Sequence, residues 1–90
     1  MAFITTIETV KYCRENCELE IHELEGNVIA MEATSNTECA KKFHANLCKA
    51  ISYIKAKNPN YMVSALSYEY GYGDNAIVIF EEKPLVNGVI

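Results

Sequence analysis

The segment Asn36–Lys57 limits the fold of this chain more than any other. Ala40, Phe43, Leu47, Ile51 and Ile54 recur at helical spacing, so a helix over these residues carries a single apolar stripe. Such a stripe has to be buried against another layer. Ser35 followed three residues later by Glu38 forms a capping-box pattern, in which each side chain satisfies a free backbone N–H of the first turn. Lysines near the far end suit the negative pole of the helix. Asn58-Pro59-Asn60 stops it, because proline disfavours helical geometry in the residue before it.

The flanking segments supply the second layer as two hairpins. Leu19 and Ile21 alternate with Glu18, Glu20 and His22, the period-2 signature of a strand wet on one face. Glu25-Gly26-Asn27 makes the turn, and Val28 to Ala33 returns with Ile29, Met31 and Ala33 as its inward set. Tyr61 to Glu82 reads as two further strands around Gly71-Tyr72-Gly73-Asp74. The strand Ala76–Phe80 is apolar on both faces, with Ile77 and Ile79 opposite Val78 and Phe80. That pattern calls for cover on both sides, from the C-terminal tail or from another subunit.

At the start of the chain Thr5 and Glu8 fit a second capping box, with Phe3, Ile7 and Val10 on one helical face. A short strand through Phe3-Ile4-Thr5-Thr6 competes with it; the helix, from Thr6 to Glu15, is the preferred reading. The fold expected is a small α+β two-layer sandwich in the order α-β-β-α-β-β. It has a mostly antiparallel four-stranded sheet packed by the long helix at about 36–57. Residues 1–83 form the single domain, and 84–90 a short apolar tail. Gly26-Asn27-Val28-Ile29 beside Asp74-Asn75-Ala76-Ile77 gives the halves a faint likeness. A duplicated αββ unit accounts for it, and so do two ordinary hairpins with similar turns.

Composition narrows the functional classes. Half of the 90 residues are hydrophobic and 22% are charged, a globular balance with room for one core. No apolar run reaches the roughly 18 residues that would span a bilayer. The opening MAFITTIETVKY has neither the basic start nor the long apolar centre of an export signal, which points to the cytoplasm. Cys13, Cys17, Cys39 and Cys48 are then expected as free thiols rather than as two disulfides. The net charge of −4 is unevenly spread: residues 35–58 carry five lysines against one glutamate, and the rest carries three basic residues against eleven acidic ones. Solvated faces explain this distribution, and so does a surface that docks a complementary partner.

No residue set points firmly to catalysis, a metal or a cofactor. Cys13/Cys17 and His44/Cys48 are i,i+4 pairs, yet established zinc spacings are missing and Cys17 is placed at the start of a strand. Cys48 lies mid-helix, without the free N–H groups that activate a thiol, and reads as a small filler beside the apolar stripe. Glu18 and Glu20 share a strand face, but a flat wet hairpin offers no cleft to separate their pKa values. Gly71-Tyr72-Gly73 joins two strands, not a strand to a helix, so it is a turn and not a phosphate cradle.

A non-enzymatic, cytoplasmic protein-binding role is the reading that fits best, with Tyr68, Tyr70, Tyr72 and Asp74 as the partner-binding tip. Tyrosine buries a large ring while keeping a polar handle, which interfaces favour. Accessory regulators and phage-type inhibitors of a partner protein share this size and charge; a homodimer is a further candidate. The alternative is a small enzyme or ligand-binding domain with a site between helix and sheet near His44 and Cys48. Nucleic-acid binding, or an acidic mimic of nucleic acid, comes behind both, since basic residues are not clustered.

Overall fold

Two helices and four strands follow one another in the expected order in the computed structural model, which describes residues 6–33, 40–69 and 74–83. They are α1 (Ile7–Asn16), β1 (Leu19–Glu25), β2 (Val28–Ala33), α2 (Ala40–Lys57), β3 (Tyr61–Glu69) and β4 (Asn75–Glu82). The Ser35/Glu38 capping box, the helix start expected at Asn36, Cys39, the tip at 70–73 and the tail at 84–90 lie outside the described residues.

The two hairpins lie side by side in the order β1-β2-β4-β3, and every neighbouring pair is antiparallel. The second strand of each hairpin is therefore central, and β1 and β3 are the edges. In the first hairpin Glu25 pairs with Val28 across Gly26-Asn27. Gly26 has φ +58 and Asn27 does not share the positive sign, as a two-residue turn with glycine at its first central position requires.

One sheet face carries the core. Leu19, Ile21, Ile29 and Met31 project from β1 and β2, and Ala76, Val78 and Phe80 from β4. Phe43, Leu47, Ala50 and Ile54 of α2 close over them, all fully buried. The apolar stripe thus turns slightly from the expected one: Ala50 is at its centre, and Ile51 is half-buried at its flank. Burial of each large side chain is worth about 1.5–3 kcal/mol, so this layer contact dominates stability.

The first helix departs from the sequence reading in three ways. Its N-cap is Thr6, whose hydroxyl accepts the Thr9 N–H at 3.1 Å. Its buried side is Thr9 and Cys13, whereas Ile7 is 88% exposed. Cys17 does not begin a strand; it closes α1, donating its N–H to the Cys13 carbonyl at 3.0 Å. Glu18 then makes the turn into β1 in the left-handed region, with φ 56, where glycine is usual.

Much of the basic charge of α2 is used inside the molecule. Lys42 pairs with Glu18 at 3.2 Å, Lys49 donates to the Asn16 carbonyl at 3.2 Å, and Lys57 stands 3.9 Å from Glu8. Tyr12 and Tyr53 stack between the helices with centroids 3.8 Å apart and planes 6° from parallel. The exposed ion pairs contribute little individually; the ring stack and the shared core hold α1 in place.

The alignment that suggested an internal repeat does not survive in three dimensions. It matches Ile29 with Ile77, yet Ile29 is buried under the helices and Ile77 is 40% exposed on the other face. The two hairpins resemble each other in topology only.

Phe43→Ala is expected to cost about 3–5 kcal/mol, a large share of what a domain of this size possesses. Ser52→Ala, on the exposed side of the same helix, should leave the denaturation midpoint nearly unchanged. Urea unfolding followed by circular dichroism measures both.

Candidate functional site

The face of the sheet away from the helices is where the surface chemistry is least ordinary. Cross-strand register places His22, Ala30, Ile77 and Ser67 in one row, and Val28, Ile79 and Ala65 in the next. Val28, Ala30 and Ile79 are half-buried by their neighbours, while Ile77 is exposed. Leu24, displaced by a bulge between Glu23 and Glu25, is 54% exposed at the β1 edge. No described helix lies over this face. A shallow depression of about 220 Å³ opens at its β3–β4 end, lined by Ser67, Asn75 and Ile77 with Tyr68.

Acidic groups border the apolar centre. Glu20 and Glu32 are paired across β1 and β2, and Glu81 stands at the other end of β4. Arg14 reaches Glu20 with two bonds of 2.9 and 3.1 Å. Those bonds to Arg14 hold the Glu20 carboxyl below its ordinary range. The exposed His22 sits 2.6 Å from the Glu32 carboxylate. Glu18 and Glu20 do not form the carboxylate pair that the sequence suggested, because Glu18 precedes the strand and faces Lys42.

The second grouping lies between α2 and β3. His44 Nε2 is 3.6 Å from Cys48 Sγ, and His44 Nδ1 is 3.0 Å from Tyr68 Oη. The placement of Tyr68 depends on a β-bulge at Ser64. Val63 pairs with the buried Phe80, but Ala65 already pairs with the outward Ile79. The extra residue switches the alternation, so Leu66 and Tyr68 turn to the helix side. Without it Tyr68 would point to the open face. Cys48 is exposed rather than a filler in the core, since it lies one position outside the buried stripe.

Of the residues expected at a tyrosine tip, Tyr68 is half-buried, packed against the core and bonded to His44. Asp74 is half-buried, and its carbonyl accepts the Ala33 N–H at 2.9 Å, tying β2 to the start of β4. Tyr70 and Tyr72 lie outside the described residues. The grouping of His44, Cys48 and Tyr68 had one sequence signal, the i,i+4 spacing. The open face had another, the two-sided apolar strand β4.

Cys13 and Cys17 are free and buried at the end of α1. Burial is the main cause that pushes the Cys13 thiol up to about 12, with the neighbouring Cys17 adding to it. Burial raises Cys17 as well, opposed by the Lys49 ammonium. Both thiols therefore stay protonated at neutral pH, where they are poor nucleophiles.

Comparisons with family models, curated proteins and solved structures give no match to this chain.

The Cys13 environment has a consequence for stability. The folded thiol holds its proton to higher pH than the unfolded one, so its contribution is complete below the unfolded value. It is lost as pH rises towards about 12. Between these limits the wild type should lose up to about 1.4 kcal/mol per pH unit more than Cys13→Ala, in matched urea titrations.

Proposed function

We propose that this protein is a small non-enzymatic docking module that seats a partner protein on the helix-free face of its sheet. The observation that carries this reading is the apolar centre Val28–Ala30–Ile77–Ile79, which the described helices leave uncovered. Contiguous apolar surface is costly to leave in water, and where it persists on a folded domain it commonly marks an interaction site. Glu81 at one end, and Glu32 beside His22 at the other, give the rim an acidic cast, while Glu20 is matched by Arg14. The fitting partner therefore presents apolar side chains bordered by lysine or arginine. No helix among the described residues is long and apolar enough to cross a membrane. The free thiols Cys13, Cys17 and Cys48 support work in a reducing compartment such as the cytoplasm.

Pairing of this face with a second copy is the other reading that the exposed Ile77 supports. One substitution addresses both. Ile77→Lys places a charge at an exposed position, so the melting temperature should stay within about 2–4 °C of the wild type. Capture of the partner from native cells should be lost, and any dimer seen by sedimentation at high micromolar concentration should dissociate. A folded Ile77→Lys variant that keeps both its capture and its association state would refute the docking face. The wild-type complex should also weaken as salt rises from 50 to 500 mM, since its rim contacts are screened.

A further inference from the structure

We infer that Cys48, His44 and Tyr68 form a thiol-modification site that takes low-molecular-weight disulfides, such as glutathione disulfide, into a mixed disulfide on Cys48. The inference is independent of the docking face, which lies on the opposite side of the sheet.

Three side chains make the site. Cys48 and His44 are one turn apart on α2, on the side of that helix facing β3, and both are exposed. The Sγ to Nε2 separation of 3.6 Å is within hydrogen-bonding reach for sulfur. Tyr68 Oη at 3.0 Å from Nδ1 anchors the other ring nitrogen from a strand, so the ring is held from two elements. The site works through the tautomer that carries its proton on Nδ1 and donates it to Tyr68 Oη, which leaves Nε2 as the acceptor facing the thiol; both distances accommodate it. A nucleophile within reach of a base, and the base oriented by a third group, is the arrangement by which enzymes activate thiols.

The surroundings select the chemistry. Acyl transfer needs N–H donors for an oxyanion, and at mid-helix Cys48 the backbone N–H groups are committed to the helix. Metal binding needs more ligands: among the described residues no three His, Cys, Asp or Glu side chains gather. Thiol–disulfide exchange needs neither. His44 Nε2 takes the proton of Cys48, and Sγ attacks one sulfur of the disulfide. The S–S bond breaks, and its electron pair leaves with the second sulfur, which takes the proton from His44. The products are the protein mixed disulfide and one free small thiol, and the disulfide itself is the oxidant. Cys13 and Cys17 cannot compete, because they are buried and held protonated.

The test incubates the intact protein with glutathione disulfide at pH 7 and follows the adduct on each cysteine by peptide mass spectrometry. The reference is the free peptide of residues 44–52, which contains His44 and Cys48 but not Tyr68. Cys48 in the protein is expected to react about tenfold faster than the peptide, or more. His44→Gln should bring the rate down to that of the peptide with the melting temperature kept. Tyr68→Phe, which retains the ring packing, should lose several-fold. A wild-type rate equal to that of the peptide, or a His44→Gln rate equal to wild type, overturns the site. A folded Tyr68→Phe variant with the wild-type rate removes Tyr68 from it.

Discussion

The burial of one helix face against one sheet face is the contact on which the remainder of this molecule depends. Phe43, Leu47, Ala50 and Ile54 meet the inward residues of β1, β2 and β4, and this fixes the register of every strand that takes part. A slip of a single residue would exchange the buried and exposed sets of a strand, at a cost of several large side chains. In β4 such an exchange would bury Ile77 and Ile79 instead of Val78 and Phe80, and hydrophobicity alone hardly separates the two. The neighbours decide it: Phe80 pairs with Val63, and Ile29 pairs with Val78. The strand β4 is thus apolar on both faces while, among the described residues, helices cover only one. The open face is the consequence of that mismatch.

A single irregularity then distributes chemistry between the two sides. The bulge at Ser64 lets β3 begin with Tyr61 and Val63 towards the core and still end with Tyr68 towards α2. It removes the tyrosine from the open face and delivers its hydroxyl to His44. The same strand consequently contributes Ala65 and Ser67 to one surface and Tyr68 to the other. The proposed docking face and the proposed thiol site therefore lie on opposite sides of the sheet, with Ile77 on one and His44 on the other.

The parts of this architecture that follow a repeating rule were legible in the sequence. The stripe of α2, the alternation Leu19–Ile21, the inward set Ile29–Met31 and the glycine turn at Gly26 all obey a period or a φ requirement, and the structure has them. What escaped were departures from rule. Glu18 occupies a left-handed position without being glycine, held among tertiary contacts that include Lys42. Cys17 closes a helix because Cys13 and the core bury it from both sides of the α1–β1 junction. Cys48 differs from the buried Leu47 by one step of 100° around the helix, a distinction that residue type does not announce. The Ser64 bulge carries no sequence signature, so the meeting of Tyr68 with His44 was beyond reach until the strand register was known.

The docking proposal requires Ile77 and Ile79 to face solvent in the free protein while Val78 and Phe80 do not. Methyl and aromatic NMR signals recorded with a soluble paramagnetic agent measure this directly. The prediction is strong broadening of the Ile77 methyls, intermediate broadening at Ile79, and protection of Val78 and Phe80. Ile77 and Ile79 signals as protected as those of Val78, in a dilute monomer, would mean that the chain covers this face itself and leaves no open surface for a partner.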